Sequence, residues 1–419
     1  MTATADSPDD LAALLTEEGQ ELLELLRDHD PAQELALATR LRRDHPAPLV
    51  SAALAQARLR QRAAAKFGED ARRMYFTPNG VEQSTRAAVA EYRARRFAAL
   101  GVRRVADLCG GIGGDALALA RAGIEVLAVD RDPAACSAAR ANAAALGLSG
   151  LVEVRRADVT EVDTSGFDAV FVDPARRGGR GGRGRIFDPE AYSPPLSWAV
   201  EAARRAPFAA LKVAPGIPHE AVPEEAEAEW VSCGGDVKEA VLWFGTAPGA
   251  RRATLLPAGH ALPDAAHSLP GAAHALPDAA HSLLGAGLPD PEPGPVGRWL
   301  YEPDGAVVRA HLVADVARQV GGRLIDPTIA YVTADSLVPT PYASAYEITD
   351  VLPFNLKRLK ALLRERGVGV LTVKKRGSAV EPEEVRRRVR PQGPNAATVL
   401  LTRVAGAPTM LVGRPAGTD

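Results

Sequence analysis

VADLCGGIGGD, residues 105–115, decides the fold. An apolar run ends in Asp107, a glycine-rich turn follows, and a helix is expected to begin near Asp115. Gly111, Gly113 and Gly114 let the backbone come close to a ligand at the helix N-terminus. Outward from this turn, residues 100–250 alternate short apolar runs with Ala-rich stretches: VADL, GDALALARAG, VLAV, PAACSAARANAAALG, LVEV, DAVFVD and AALKVA. Strands alternating with helices predict a mostly parallel sheet covered on both faces. VKEAVLWFG at 237–245 is strand-like and reads as an edge strand.

The acidic residues fall at strand ends. VLAVDRDP puts Asp130 at the end of the second strand, 23 residues after Asp107. A carboxylate there can accept hydrogen bonds from both hydroxyls of an adenosine ribose. Asp158 in RRADVT follows the third strand, where an adenine edge would lie, and Asp173 in FVDPAR closes the fourth. Four acids at the carboxyl ends of successive strands form a crevice at the topological switch point. Each also has a plainer use as a turn-maker or helix cap.

Composition narrows the remainder. The 419 residues are 46% hydrophobic and 24% charged, which excludes a disordered chain, and the net charge of −2 excludes a polybasic one. Three scattered cysteines, Cys109, Cys136 and Cys233, argue for a reducing compartment, and no Cys/His spacing suits zinc. The acidic start MTATADSPDD lacks an apolar signal core, and no run approaches a membrane span, so the expected location is cytoplasmic with no membrane partner. Residues 8–60 read as helices, with Leu11, Leu14, Leu15, Leu22, Leu25 and Leu26 at three- and four-residue steps and a break at Pro46 and Pro48. A 14-residue repeat, HALPDAAHSLPGAA then HALPDAAHSLLGAG, occupies 260–287. It spaces His260, His267, His274 and His281 by seven, but its prolines forbid the continuous helix that would align them, so no metal is expected. The segment reads as a flexible linker or a duplicated surface insertion. Residues 298–415 carry a second mixture of strands and helices, read as a small open α+β sheet.

The acid-and-glycine array resembles the class I S-adenosylmethionine-dependent methyltransferases. A nicotinamide site expects GxGxxG; here the cadence is Asp-x-x-Gly-Gly-x-Gly-Gly after Asp107, with Cys109 inside it. That cadence, and VDRDPAACSAARANAAALG after it, is similar to the trimethylguanosine-synthase-like and RNA guanine-N2 methyltransferases. Those enzymes have an upstream segment that closes over the cofactor, and FTPNGVEQSTRAAVAEY at 76–92 looks like it, which implies Phe76, Thr77 and Gln83 near the cofactor or the substrate entrance. Its plainer reading is a loop before a helix capped by Asn79 or Ser84. The whole layout, with DPARR and a C-terminal unit ending KKRG…ATVLLTRV, resembles bacterial methyltransferase-like proteins with a THUMP-like domain.

The resemblance implies an α/β chain with a Rossmann-like class I core, an N-terminal helical region and a smaller C-terminal α+β, THUMP-like domain. The expected divisions are 1–75 helical, 76–256 core, 257–297 Pro/Ala/His linker and 298–419 THUMP-like. It implies S-adenosylmethionine held by Thr77, Asp107, Cys109, Gly111, Gly113, Asp130 and Asp158, with Asp107 near the amino-acid portion and Cys109 as a small apolar wall. Asp173 and Pro174 would present the acceptor amine. The family's Pro-Pro-aromatic continuation is replaced here by Ala175-Arg176. Lys212, in LKVAPG after the fifth strand, faces either the crevice or solvent. The implied partner is structured RNA such as tRNA or rRNA. Residues 355–390 hold 12 Lys/Arg against 4 Asp/Glu, with Lys357, Arg358, Lys360, Arg364, Lys374, Lys375 and Arg376 at the centre. Such a field draws phosphates, though charge runs are commonly just solvated faces. Arg176, Lys374, Lys375 and Arg376 are the expected RNA contacts, Arg176 opening the run RRGGRGGRGR beside Asp173. Two other functions fit the sequence: a methyltransferase for a small molecule or protein, and a non-catalytic RNA-binding protein with a degenerate pocket.

Overall fold

The computed structural model describes residues 8–175, 188–258 and 280–417. Arg176 with its arginine–glycine run, and most of the histidine repeat, lie outside the described residues. The chain forms two compact units. The first comprises the described residues up to Gly234, with Lys238–Gly249 and those between Leu256 and Ala280; the second comprises Gly235–Val237, Ala250–Leu255 and the described residues from His281 onward.

The first unit opens with helices α1 (Pro8–Leu14), α2 (Glu17–Leu25), α3 (Glu34–Leu41) and α4 (Ala47–Phe67). Thr16 caps α2 by accepting from the Gly19 N–H, and Pro46 and Pro48 start α4, where their missing donors cost nothing. Leu14, Leu22, Leu23 and Leu26 pack with Leu41, Leu49 and Leu54. Leu15 and Leu25, which the spacing places with them, face solvent. Leu15 falls just past the end of α1 and Leu25 is the last residue of α2, so both stand where the helical repeat runs out. The short α5 (Pro78–Gln83) and the longer α6 (Ala87–Ala99) lead to the sheet.

The sheet begins β1 (Arg104–Leu108), α7 (Gly114–Arg121), β2 (Glu125–Asp130), α8 (Pro133–Ala145), β3 (Val152–Arg156), β4 (Ala169–Val172), α9 (Leu196–Arg204) and β5 (Phe208–Val213). Two more strands follow, β6 (Glu227–Cys233) and β7 (Asp236–Phe244). Within this unit the order is β3-β2-β1-β4-β5-β7-β6. The first five strands run parallel, and β7 pairs antiparallel with β5. So β7 is an interior strand, not the edge its sequence suggested. The reason is the chain reversal at Gly234-Gly235, both at positive φ (63° and 82°), which folds β7 back between β5 and β6. Trp230 and Trp243 are fully buried there.

Two polar connections tie α-helices to this sheet. Buried Asn142 on α8 accepts from the Tyr75 N–H (2.6 Å) and donates to the carbonyls of Tyr75 (3.1 Å) and Ile112 (2.9 Å). One amide therefore joins the chain entering α5 to the glycine turn. On α6, Arg96 reaches Glu229 and Glu227, each at 2.6 Å, and stacks over Trp243. Pairing makes burial of these charges tolerable.

The second unit holds an antiparallel pair, β8 (Arg251–Leu256) with β9 (His281–Leu284). Thus the end of the stretch read as linker, at His281, is a strand. Then come β10 (Trp299–Pro303), α10 (Gly305–Arg309), α11 (Val313–Val320), β11 (Arg323–Asp326), β12 (Ile329–Ala334), β13 (Ala343–Pro353), α12 (Leu356–Glu365), β14 (Val368–Lys375), α13 (Pro382–Val389), β15 (Asn395–Val404) and β16 (Ala407–Pro415). Seven strands make one sheet in the order β11-β12-β10-β13-β16-β15-β14. Only β14 and β15 run parallel among the pairs given by register, with α13 as their crossover. Leu359, Leu363, Val385 and Val389 seat α12 and α13 on one face against Val399, Leu401, Met410 and Val412.

Asn142→Ala should destabilise the first unit by about 3 kcal/mol, since it orphans three buried backbone groups. Urea unfolding followed by circular dichroism checks this; an unchanged midpoint would show that the clamp holds nothing.

Candidate active site

The strand order changes direction between β1 and β4, so their carboxyl ends open a crevice. At β1 the chain turns through Cys109 (φ 69°), Gly111 (φ 54°) and Gly113 (φ 87°). Cys109 is thus a non-glycine residue in the left-handed region. A Cβ on Gly110 would lie 3.1 Å from Asp107 Oδ2, so that position has little room for a side chain. Asp130, at the end of β2, accepts from the Gly111 N–H and the Asp132 N–H, both at 2.9 Å. The carboxylate fixes the loop, and each oxygen keeps a second lone pair.

Asp107 is wholly buried, and neither of its carboxylate oxygens has a hydrogen-bond partner among the described residues. Burial pushes its carboxyl well above the usual range, the charges of Asp115 and Asp173 add to this, Arg93 opposes it, and Asp130 adds further. Burial also raises the Cys109 thiol, with Asp130, Asp173 and Asp107 adding, so the thiol is no nucleophile. Beneath them the guanidinium of Arg93 binds Glu239 (2.7 Å), approaches Asp115 (3.4 Å) and lies over the Phe171 ring. Burial lifts the Glu239 carboxyl, although Arg93 and Lys212 pull it down. Asp173 follows β4, and its Oδ2 accepts from Lys212 Nζ at 2.6 Å. Pro174 behind it is buried.

The structure therefore brings together Asp107, Cys109, Gly111, Gly113, Asp130 and Asp173. Asp158 lies two residues beyond the end of β3. It is exposed, and its Oδ1 accepts from the Thr160 N–H and hydroxyl, which holds its carboxyl below the usual range. Thr77 Oγ1 caps α5 by accepting from the Gly80 N–H at 3.0 Å. So the cap is Thr77 itself, not Asn79 or Ser84. A Cβ on Gly80 would sit 2.6 Å from Ile112 Cγ2, which places α5 directly on the glycine turn. Phe76 is buried against Phe67, with its backbone N–H held by Gln56, and Gln83 is exposed.

In the second unit the cations divide into two groups. Lys374 and Arg376 turn to Glu302, over the rings of Tyr346 and Tyr331, and Lys375 pairs with Glu381. Lys357, Arg358, Lys360, Arg364 and Arg387 are exposed and make no side-chain hydrogen bond or ion pair among the described residues. Lys357, Lys360 and Arg364 are three and seven residues along α12, hence on one face.

Arg93, Glu239, Asn142 and Thr85 were not evident as site residues. Asn142 carried one signal, being a lone amide in an Ala-rich helix that it disfavours. Arg93 looked like any arginine of α6. Among the described residues, no group of three His, Cys, Asp or Glu side chains is placed to hold a metal, and no helix is long and apolar enough to cross a membrane.

Comparisons with known proteins place these features. Residues 105–175 match a methyltransferase domain, residues 343–415 a THUMP domain-like family, and residues 6–63 a domain of unknown function. An uncharacterized S-adenosylmethionine-dependent methyltransferase of Mycobacterium tuberculosis, found in strains CDC 1551 and H37Rv, is 34% identical over 358 residues, covering 83% of this chain and 90% of the relative. A crystal structure of a candidate methyltransferase from Porphyromonas gingivalis W83 shares the fold across 98% of this chain and 99% of its own, with a TM-score of 0.74 at 21% identity. With glycine turn, strand-end carboxylates and near-complete alignment in agreement, the chain belongs to the S-adenosylmethionine-dependent methyltransferases.

Proposed function

We propose that this methyltransferase modifies a base nitrogen of structured RNA, with residues 76–256 as its catalytic core and 298–419 presenting the RNA. The orphaned, buried carboxylate of Asp107 supports a cationic ligand at the glycine turn, and the ammonium of the methionine moiety supplies that charge. Asp130 takes the ribose hydroxyls on its remaining lone pairs. Asp158, with Oδ1 engaged by Thr160, offers Oδ2 to the adenine edge. Thr77, Cys109, Gly111 and Gly113 shape the backbone that lines the cofactor. Asp173 and Pro174 hold the acceptor amine in line with the methyl group. When bound, the sulfonium supplies an electrophilic methyl: the acceptor nitrogen forms the new N–C bond, the C–S electron pair returns to sulfur, and the nitrogen's surplus proton leaves to water.

The observation that carries the RNA half is the unpaired cationic face of α12 in the THUMP domain-like segment. A phosphate backbone is its complement. Lys375 and Arg376 would add to it only once released from Glu381 and Glu302. A cytoplasmic setting fits the free Cys109, Cys136 and Cys233. The direct test incubates labelled cofactor with total RNA from a strain lacking the protein and maps the mark. Label entering protein or small molecules instead would assign the acceptor there.

Three outcomes are expected. Asp130→Ala should abolish cofactor binding in calorimetry, whereas a wild type that binds no cofactor would indicate a degenerate pocket. Asp107→Asn should split stability from affinity. Burial holds this carboxyl above its unfolded value, so the aspartate costs stability as pH rises from about 4 toward that raised value. The asparagine variant should melt higher at pH 7 yet bind cofactor at least ~10-fold more weakly. Because a cationic ligand favours the ionised carboxylate, wild-type affinity should rise as pH increases from about 4 toward the raised value, and the variant should lose the slope. Finally, Lys357→Gln/Lys360→Gln/Arg364→Gln should weaken RNA binding and flatten the plot of log affinity against log salt by about 2, leaving cofactor affinity unchanged.

A further inference from the structure

Lys212 lies on β5, one residue beyond the Val172–Leu211 pair of the β4–β5 register, and so beside Asp173. Its side chain is 5% exposed. A buried ammonium is costly unless its protons are taken. Here Nζ donates to Asp173 Oδ2 at 2.6 Å and to Thr85 Oγ1 at 2.8 Å. Thr85 is itself buried, in the link between α5 and α6. Three elements thus meet at one nitrogen: the end of β5, the residue after β4, and the segment that rests on the glycine turn. The other oxygen of the carboxylate, Oδ1, receives no hydrogen bond from the described residues, and the Asp173 side chain is 22% exposed. One oxygen is locked inward while its twin is open.

We infer that Lys212 is a positioning residue for methyl transfer: with Thr85 it fixes Asp173 through Oδ2, so that Oδ1 faces the acceptor's N–H. This rests on Asp173 being the acceptor-side group proposed above. A carboxylate locked through one oxygen keeps the other oriented to accept a hydrogen bond. That suits an amino nitrogen, whose protons leave after its lone pair has formed the new bond.

The test uses full-length wild type, Lys212→Met, Asp173→Asn, the double variant and Lys212→Arg. Melting temperature, S-adenosylhomocysteine affinity and methyl transfer to total RNA are measured for each. Lys212→Met should melt several degrees lower, and the double variant should recover most of that loss, because removing both partners leaves no uncompensated charge. Product affinity should stay within about threefold in all of them. Lys212→Met should lower kcat about 50-fold with KM for RNA nearly unchanged, the double should be no slower than the slower single, and Lys212→Arg should regain much of the rate. Additive losses in kcat, a parallel fall in product affinity, or a wild-type rate in Lys212→Met would overturn the assignment. If wild type methylates no acceptor in the RNA pool, the RNA proposal fails separately. The melting cycle then decides the pair, and absence of coupling there refutes the positioning role.

Discussion

A shortage of buried positive charge governs the first unit. Asp107, Asp115, Asp173 and Glu239 sit within one another's fields below the glycine turn, and the buried cations described beside them are Arg93 and Lys212. Arg93 serves Glu239 and Asp115, and Lys212 serves Asp173, so the deficit falls on Asp107. In a low-dielectric interior that imbalance is expensive, and it pushes the Asp107 carboxyl up. A cationic ligand would relieve it. Under the proposed function that ligand is the charged end of the cofactor.

The scaffold exists to hold that imbalance in place. Parallel strands bring the acids to one edge, and helix α6 delivers Arg93 from behind the sheet. The N-terminal helix α4 contributes through Gln56 and the crossover helix α8 through Asn142, whose amides satisfy backbone groups at residues 75 and 76. That leaves α5 seated on the turn. Affinity for the nucleoside and rigidity of the helical layer are therefore properties of one connected set of hydrogen bonds.

Much of this was legible in the sequence. Glycines at 111 and 113, an acid ending each strand, and apolar runs four to six residues long admit few arrangements, and the alternation of strand and helix fixed which. In the second unit α11–α13 and β12–β16 were equally readable, because amphipathic spacing and turn residues coincide there. What stayed hidden depends on pairs distant in the chain. Nothing near Arg93 announces Glu239, and nothing near Lys212 announces Thr85 or Asp173. Likewise, counting charge in 355–390 could not separate Lys374, neutralised by Glu302, from Lys360, which is not. The interior place of β7 was missed for a related reason: a continuous apolar run such as Ala240–Phe244 looks alike at any position in a sheet with covered faces.

A small bridge beside Asp173 has a wider meaning. Ala175 and Ser193 exchange two backbone hydrogen bonds, at 2.9 and 3.0 Å, just after the carboxylate. The bridge fixes where the chain leaves Asp173 and where it returns ahead of α9, so the carboxylate's seat is set by backbone pairing as well as by its own side-chain bond.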